Sequence, residues 1–272
     1  MLNVSLLGTA SFAVDKNVVK SDLGPAGRLL ACYLFEFPGK VHRRERLADL
    51  FWQDTDPDRA RSALNTAIWR IRKILDHGGQ GVSRHLLTIG SEVILEESPS
   101  VQVDSRELES ACKRTLARRS DIALNAGELS DISRAVENYG GPFLDGYDDD
   151  WVLQERERLH CLFIRSTFEL MRIAASQGYY ERALDFGRRV LAVDPLRESV
   201  QQDVMLLLLL NGQRVEAIRN YQRLVQKLRS ELDIGPMPET VRLYDDIVSG
   251  AIFGRVKDYI DGHFGAEKAL PF

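Results

Sequence analysis

The sequence predicts a mainly α chain with a small β component, in which a winged helix-turn-helix domain comes first and an all-α, tetratricopeptide-like repeat domain follows. Three observations carry that reading. β-Rich runs bounded by turn residues are confined to the first 97 residues. From residue 101 onward every periodic segment reads as helix. A Gly-x4-Ala pattern at Gly178 and Ala183 recurs at Gly212 and Ala217, an offset of 34 residues. The 272 residues leave room for one large or two ordinary domains.

In chain order, residues 2–7 and 10–14 are short β-rich runs broken at Gly8, with a turn at residues 15–17. The N-terminus lacks a basic stretch ahead of an apolar one, so it reads as a strand pair and not as a signal peptide. Gly24-Pro25 opens a helix with Leu29, Leu30, Tyr33, Leu34 and Phe37 at helical spacing, and Pro38-Gly39 stops it. Val41 is expected as one further strand residue. A second helix is expected over residues 43–51, with Arg43, Arg44 and Arg46 near its start, and Trp52, Gln53, Asp54 and Thr55 link it to a third.

That third helix, residues 56–75, is the most informative stretch. Asp56 can accept from the free amides of the first turn, Pro57 suits the first helical position, and Asp58 adds negative charge at the positive helix end. With Asp58 at zero and about 100° per residue, Ala60, Ala63, Leu64, Ala67, Ile68, Ile71, Ile74 and Leu75 fall in one apolar arc. The opposite arc carries Arg59, Arg61, Ser62, Asn65, Thr66, Trp69, Arg70, Arg72 and Lys73. These are donor-rich side chains of the kind that phosphates and major-groove base edges accept from. Basic faces also occur on ordinary solvated helices. Trp69 leaves two readings open, stacking on nucleic acid or packing beneath a following hairpin.

Gly78-Gly79-Gln80-Gly81 is too flexible to continue the helix, and residues 85–89 and 92–95 form a hairpin turning at Gly90-Ser91. Strands, three helices and a closing hairpin compose a winged helix. Arg84 and His85 at the hairpin base are candidate minor-groove or phosphate contacts, or plain surface residues. Ser98-Pro99-Ser100 marks the expected seam, giving a DNA-binding domain at 1–97, a helical domain at 98–250 and a tail at 251–272. Helices are expected at 104–117, 132–139, 151–177, 180–193, 195–211, 214–232 and 238–249, and a short one at 255–263 in the tail. Small residues at the repeat positions let paired helices approach closely and bury a common core. Asp148, Asp149 and Asp150 before a helix read as dipole-favoured capping charge in preference to a metal or partner site.

Charge is distributed unevenly. The net charge is −4, yet residues 40–75 hold 9 basic against 5 acidic side chains, while residues 98–272 hold 23 against 28. Positive charge is therefore focused on the helix-turn-helix, in front of an acidic body. Cys32, Cys112 and Cys161 lie far apart, and the five histidines show no ligand spacing, so neither a disulfide framework nor a metal site is expected. The apolar run 204–210 is far shorter than the ~20 residues of a membrane span, and a cytoplasmic protein is expected. Phosphate-loop, Gly-x-Ser-x-Gly and His-Glu-x-x-His motifs are absent, so neither an enzyme nor a cofactor is expected.

The combined motifs resemble the Streptomyces antibiotic regulatory protein family, in which an OmpR-type winged helix precedes a bacterial transcriptional activator domain. The marks are Leu50-Phe51-Trp52 before Asp56-Pro57, Ala60-Arg61-x2-Leu64 and Arg70-Ile71-Arg72-Lys73-x-Leu75. Further along they are Tyr139-Gly140-Gly141-Pro142-Phe143-Leu144, Trp151-x3-Glu155-Arg156, Asp194-Pro195-x2-Glu198 and Glu231-Leu232-x2-Gly235-x-Pro238, covering about residues 1–250. Two departures stand out: Pro236-Met237, where one proline is usual after the glycine, and Trp69, where a small polar residue is common. The resemblance implies a transcriptional activator that binds promoter direct repeats, usually as two protomers, and recruits RNA polymerase. It implies that Arg61, Asn65, Thr66, Arg70 and Arg72 face the major groove or its phosphates, that Arg43 and Arg44 meet the backbone, and that Trp52 to Thr55 form the polymerase-contact loop. The rival readings are a helical-repeat adaptor and a regulator gated by a small-molecule effector of unknown identity.

Overall fold

The computed structural model describes residues 1–15, 17–20, 22–79, 81–116 and 126–264. Lys16 of the expected 15–17 turn, Gln80, the expected helix end at Ala117 and residues 265–272 of the tail lie outside them. The fold is mainly helical with two small sheets, a winged helix followed by helical repeats. Two compact units are formed: residues 1–110 with 133–160, and residues 111–132 with 161–272.

In the first unit, β1 (Leu2–Ser5), β2 (Ser11–Val14) and β3 (Asn17–Val18) make an antiparallel meander. Its other edge is filled by β7 (Val101–Val103), parallel to β1 with Leu2 opposite Val101. This corrects the expectation of helical signals alone from residue 101. Three residues are too few to display an alternation, and the pairing partner stands at the opposite end of the domain's sequence, so only tertiary contact reveals the strand. Asp104, which follows it, accepts from the Leu6 and Leu7 amides at 2.7 and 3.2 Å and fastens the end of β1.

α1 (Gly24–Glu36), α2 (Arg44–Phe51) and α3 (Pro57–His77) form the helix-turn-helix core. The strand after α1 is β4 (His42–Arg43), just past the expected Val41 and taking Arg43 from the expected helix start, and it pairs with β6 (Glu92–Leu95), whose other neighbour is β5 (Leu86–Ile89). The 139–147 loop docks on the strand end: the Gly8 amide donates to the Pro142 carbonyl, and the Leu144 amide donates to the Leu6 carbonyl. Gly140 is required there, because a Cβ would come within 3.0 Å of the Leu7 carbonyl oxygen. Arg156 donates to the carbonyls of Phe143, Leu144 and Tyr147 at 2.7–2.8 Å, so one guanidinium holds the loop's shape.

Further on, α4 is Asp104–Leu116, α5 is Ala126–Glu137 (earlier than the expected 132–139) and α6 is Asp150–Ser176. In the second unit α7 (Tyr180–Val193), α8 (Glu198–Leu210) and α9 (Arg214–Leu232) pack as consecutive antiparallel neighbours. Gly178 and Gly212 adopt φ of 80° and 75°, and Ala183 and Ala217 are fully buried, which accounts physically for the 34-residue motif. Gly187 allows closer approach still, since a Cβ there would lie 2.6 Å from a Val204 methyl. The 204–209 run is buried between α7 and α9. α8 begins at Glu198, not Pro195, because Gln201 donates to the Pro195 carbonyl and Arg197 pairs with Asp194, which stabilises a turn ahead of the helix. α10 (Pro238–Ser249) and α11 (Val256–Phe264) complete the order. Among the described residues no helix is long and apolar enough to cross a membrane.

Candidate nucleic-acid interface

Asp56 caps α3 as its chemistry requires: Oδ1 accepts from the Asp58 and Arg59 amides at 3.1 and 3.3 Å. Ala60, Leu64, Ala67, Ile68, Ile71, Ile74 and Leu75 are buried against the rest of the domain, and Ala63 is half-buried. Each large aliphatic side chain among them stabilises the seat of α3 by roughly 1.5–3 kcal/mol. The donor-bearing arc consequently turns outward.

That arc divides into a free centre and two occupied flanks. Ser62, Thr66, Trp69 and Lys73 follow one another at helical spacing along the centre, all exposed. Ser62 and Thr66 donate back to the Asp58 and Ser62 carbonyls, each at 3.0 Å, which settles their hydroxyls against the helix. Trp69 is 54% exposed, and the Lys73 ammonium lies 3.7 Å from its ring centroid. The hairpin does not cover the indole, so of the two readings of Trp69 the internal one is not realised.

On one flank Arg70 donates to the Asp22 carbonyl and pairs with its carboxylate at 3.4 Å. On the other Arg72 donates to the Leu86 carbonyl at 3.1 Å and to the Thr88 hydroxyl at 3.0 Å, tying α3 to strand β5 of the wing. Near the N-terminal half, Arg44 donates to the Asn65 side-chain oxygen and joins α2 to α3. Arg59 is exposed, and Arg61 is exposed beside Asp58 at 3.2 Å. Arg43 stands at the N-terminal end of α2 without a side-chain capping bond and is exposed; Arg84 is exposed at the hairpin base, and half-buried His85 lies 3.7 Å from Glu96. The structure thus brings the α3 residues and Arg43 and Arg44 into one helix-turn-helix, with Arg84 and His85 in the turn ahead of the wing. Sequence reasoning missed Asp22 and Thr88; neither lies in a periodic segment that would have pointed to α3.

Trp52 is half-buried at the end of α2, with its ring centroid 6.3 Å from that of Phe51, while Gln53, Asp54 and Thr55 are exposed. Beside them is an open depression of about 340 Å³ whose lining includes Glu45, Asp49, Trp52, Thr55 and Arg61.

Behind the interface an aromatic cluster holds the helix-turn-helix together. The Tyr33 ring meets those of Phe37, His42, Phe51 and Trp151 at centroid separations of 4.9–5.5 Å. Trp151 comes from the first turn of α6, which explains why the Trp151-x3-Glu155-Arg156 motif accompanies a winged helix. Burial pulls the His42 imidazole down to about 4, with the Lys40 and Arg46 charges acting in the same direction. Nearly one turn beyond Tyr33 on α1, Glu36 is buried and accepts from the Ser105 hydroxyl at 2.5 Å. Burial pushes its carboxyl up to about 8, and the neighbouring Glu155 adds to the shift. Arg158 holds Glu155 and Glu109 through charge-assisted hydrogen bonds. Among the described residues no cluster of His, Cys, Asp or Glu is placed to hold a metal ion, and Asp150 lies in the first turn of α6, where its charge suits the helix end.

Residues 103–248 match the family described as bacterial transcriptional activator domain. The chain is similar to Regulatory protein AfsR of Streptomyces coelicolor, 26% identical over 231 residues, which are 82% of this chain and 22% of AfsR. It therefore spans about a fifth of that relative's length. Transcriptional regulatory protein MoaR1 of Mycobacterium tuberculosis is 25% identical over 283 aligned positions, covering 94% of this chain and 88% of MoaR1. Among solved structures, Mycobacterium tuberculosis EmbR in complex with a low affinity phosphopeptide superposes with a TM-score of 0.66 at 18% identity, over 96% of this chain and 69% of that one. That likeness is one of fold.

Proposed function

This chain belongs to the bacterial transcriptional activator domain family, and from that premise we propose that it is a transcriptional regulator of the Streptomyces antibiotic regulatory protein type, activating transcription by reading promoter DNA with α3 and engaging RNA polymerase. The observation that carries the reading is the exposed Ser62, Thr66, Trp69 and Lys73 stripe at the centre of a helix whose flanks are fastened to the rest of its domain. A half-exposed indole among donors leaves apolar surface in water that a bound duplex would cover. Trp69 then offers its ring edge to apolar groups in the major groove, such as a thymine methyl, while Lys73 and Thr66 supply donors to base edges or phosphates.

Arg43, Arg59, Arg61 and Arg84 are the proposed phosphate contacts, because each is exposed and sits on the rim of the α3 surface or of the wing. Arg72, Arg70, Arg44 and Asn65 act first by positioning: they set the wing, the loop before α1 and α2 relative to α3. Binding by two protomers on direct repeats would present the same face twice. The Gln53, Asp54 and Thr55 segment and its adjoining depression are the proposed polymerase contact, separate from the α3 stripe. No part of this reading calls for catalysis.

Selection of duplexes from a random library by the full chain, followed by salt-titrated binding, tests the proposal. Enriched direct repeats and a salt slope that falls by about one unit on Lys73→Ala are expected. Equal affinity for all duplexes, unaffected by Trp69→Ala, would sink it.

A further inference from the structure

We propose that the groove formed by α7, α8 and α9 of the second unit binds an acidic peptide segment of a partner protein, with apolar side chains alternating among its carboxylates. The groove has a volume of about 340 Å³. Leu191, Ala192 and Pro195 give it its accessible apolar surface, above the buried Val204 and Leu208 of α8 and Leu224 of α9. Arg188, Arg223 and Lys227 bring cations to it from α7 and α9. Along α9 the lining positions Glu216, Asn220, Arg223 and Lys227 recur at helical spacing, so one face of that helix is given over to the groove.

Charge chooses the occupant. Residues 98–272 carry 23 basic against 28 acidic side chains, yet this lining has three cations and one acid, Glu216, with Arg188 also paired to Asp185 outside the lining at 3.4 Å. The Lys227 ammonium has no carboxylate partner among the described residues. Glu216 shows what the site accepts: it bridges Arg223 at 2.8 Å and Arg219 at 3.7 Å. It is an internal stand-in that an incoming carboxylate can replace at Arg223. Leu191, Ala192 and Pro195 favour a peptide, whose apolar side chains can cover them, over a nucleic-acid backbone, whose sugar-phosphate chain would leave them in water.

A hydrogen-bonding element is also in place. Gln201, 7% exposed, donates to the Pro195 carbonyl at 2.8 Å, and its own oxygen accepts from the Asn220 amide at 2.7 Å. Asn220 is thereby held with its side-chain oxygen unpartnered among the described residues, an acceptor for a peptide N–H. This site is independent of the α3 surface, so each can fail without the other.

The test uses the full chain and labelled degenerate peptides that alternate Asp or Glu with Leu, Ile or Val, against Asn/Gln counterparts and oligothymidylate. Binding by fluorescence anisotropy is expected for the acidic set, about tenfold or more above the amide set. Arg223→Glu with Lys227→Glu should abolish that preference while the melting temperature and duplex DNA binding stay as in the parent. Glu216→Gln should tighten acidic-peptide binding about threefold by releasing Arg223, a gain that misfolding cannot mimic. Equal binding of acidic and amide peptides, or acidic binding unmoved by the charge reversals, would overturn the proposal. Oligothymidylate bound more tightly than peptide and lost on those reversals would assign the groove to nucleic acid instead.

Discussion

Trp69 and Lys73 stand at the middle of the α3 outer face and touch each other, whereas Arg70 and Arg72, equally rich in donors, stand at its flanks and touch other elements. All four come from one five-residue stretch. Helical periodicity places them on one side of the helix and assigns them one common role. The neighbours then separate them: the loop carrying Asp22 and the wing strand carrying Leu86 and Thr88 each come close enough to take an arginine. A guanidinium that already donates to a carbonyl gains less from a phosphate than one still hydrated, because the first bond must be given up. The centre is therefore the part of the face that no other element claims, and the flanks hold the helix in place.

The contrast is sharpest for Trp69→Ala. It should weaken binding to the selected duplex by about 10- to 100-fold, the range of a central aromatic anchor, and leave the melting temperature unchanged because the ring is half exposed. Equal loss of stability and affinity would place Trp69 with the flanks. Arg72→Ala should do both things, costing about 1–2 kcal/mol of unfolding free energy through two lost hydrogen bonds and weakening DNA binding through a loosened wing. Chemical denaturation alongside binding separates the two effects, and a pure binding defect would return Arg72 to the reading surface.

A third measurement asks whether charges claimed by the fold behave differently from those offered to solvent. Glu36 has its pKa raised on folding, from the usual 4.5 to about 8, so the folded state holds a proton that the unfolded state releases in that interval. Stability should fall as pH rises across it. His42 has its pKa lowered from 6.5 to about 4, so its contribution is present above pH 6.5 and is lost as pH falls toward 4. The two slopes oppose each other below pH 6.5, and between 6.5 and about 8 only the Glu36 decline remains. Melting temperatures over that upper window should drop in the parent and flatten in Glu36→Gln; an unchanged slope in the variant would remove Glu36 as the cause. The smallest effect is expected of Arg70→Ala, since Asp22 is almost wholly exposed and such pairs contribute little: less than about 1 °C in melting temperature, and an unchanged salt slope. A slope reduced by about one unit would show Arg70 leaving Asp22 for a phosphate.

Local signals carried a good deal of this. The α3 start at Asp56 and Pro57, its buried stripe from Ala60 to Leu75, the hairpin closing at Gly90 and the Gly178/Gly212 repeat are all governed by backbone preferences and by a period that a dozen residues suffice to display. The winged helix and the helical repeats were legible from those signals alone, as was the set of side chains turned outward on α3. What tertiary structure decided was which members of that set remain available. Val101–Val103 became a strand because β1 offers an edge, Trp151 belongs to the helix-turn-helix cluster because Tyr33 lies beside it, and Arg72 serves the wing because Thr88 is within 3.0 Å. Each of these depends on residues far apart in sequence meeting in space, and the pairing of a donor with its acceptor leaves no periodic trace in the chain.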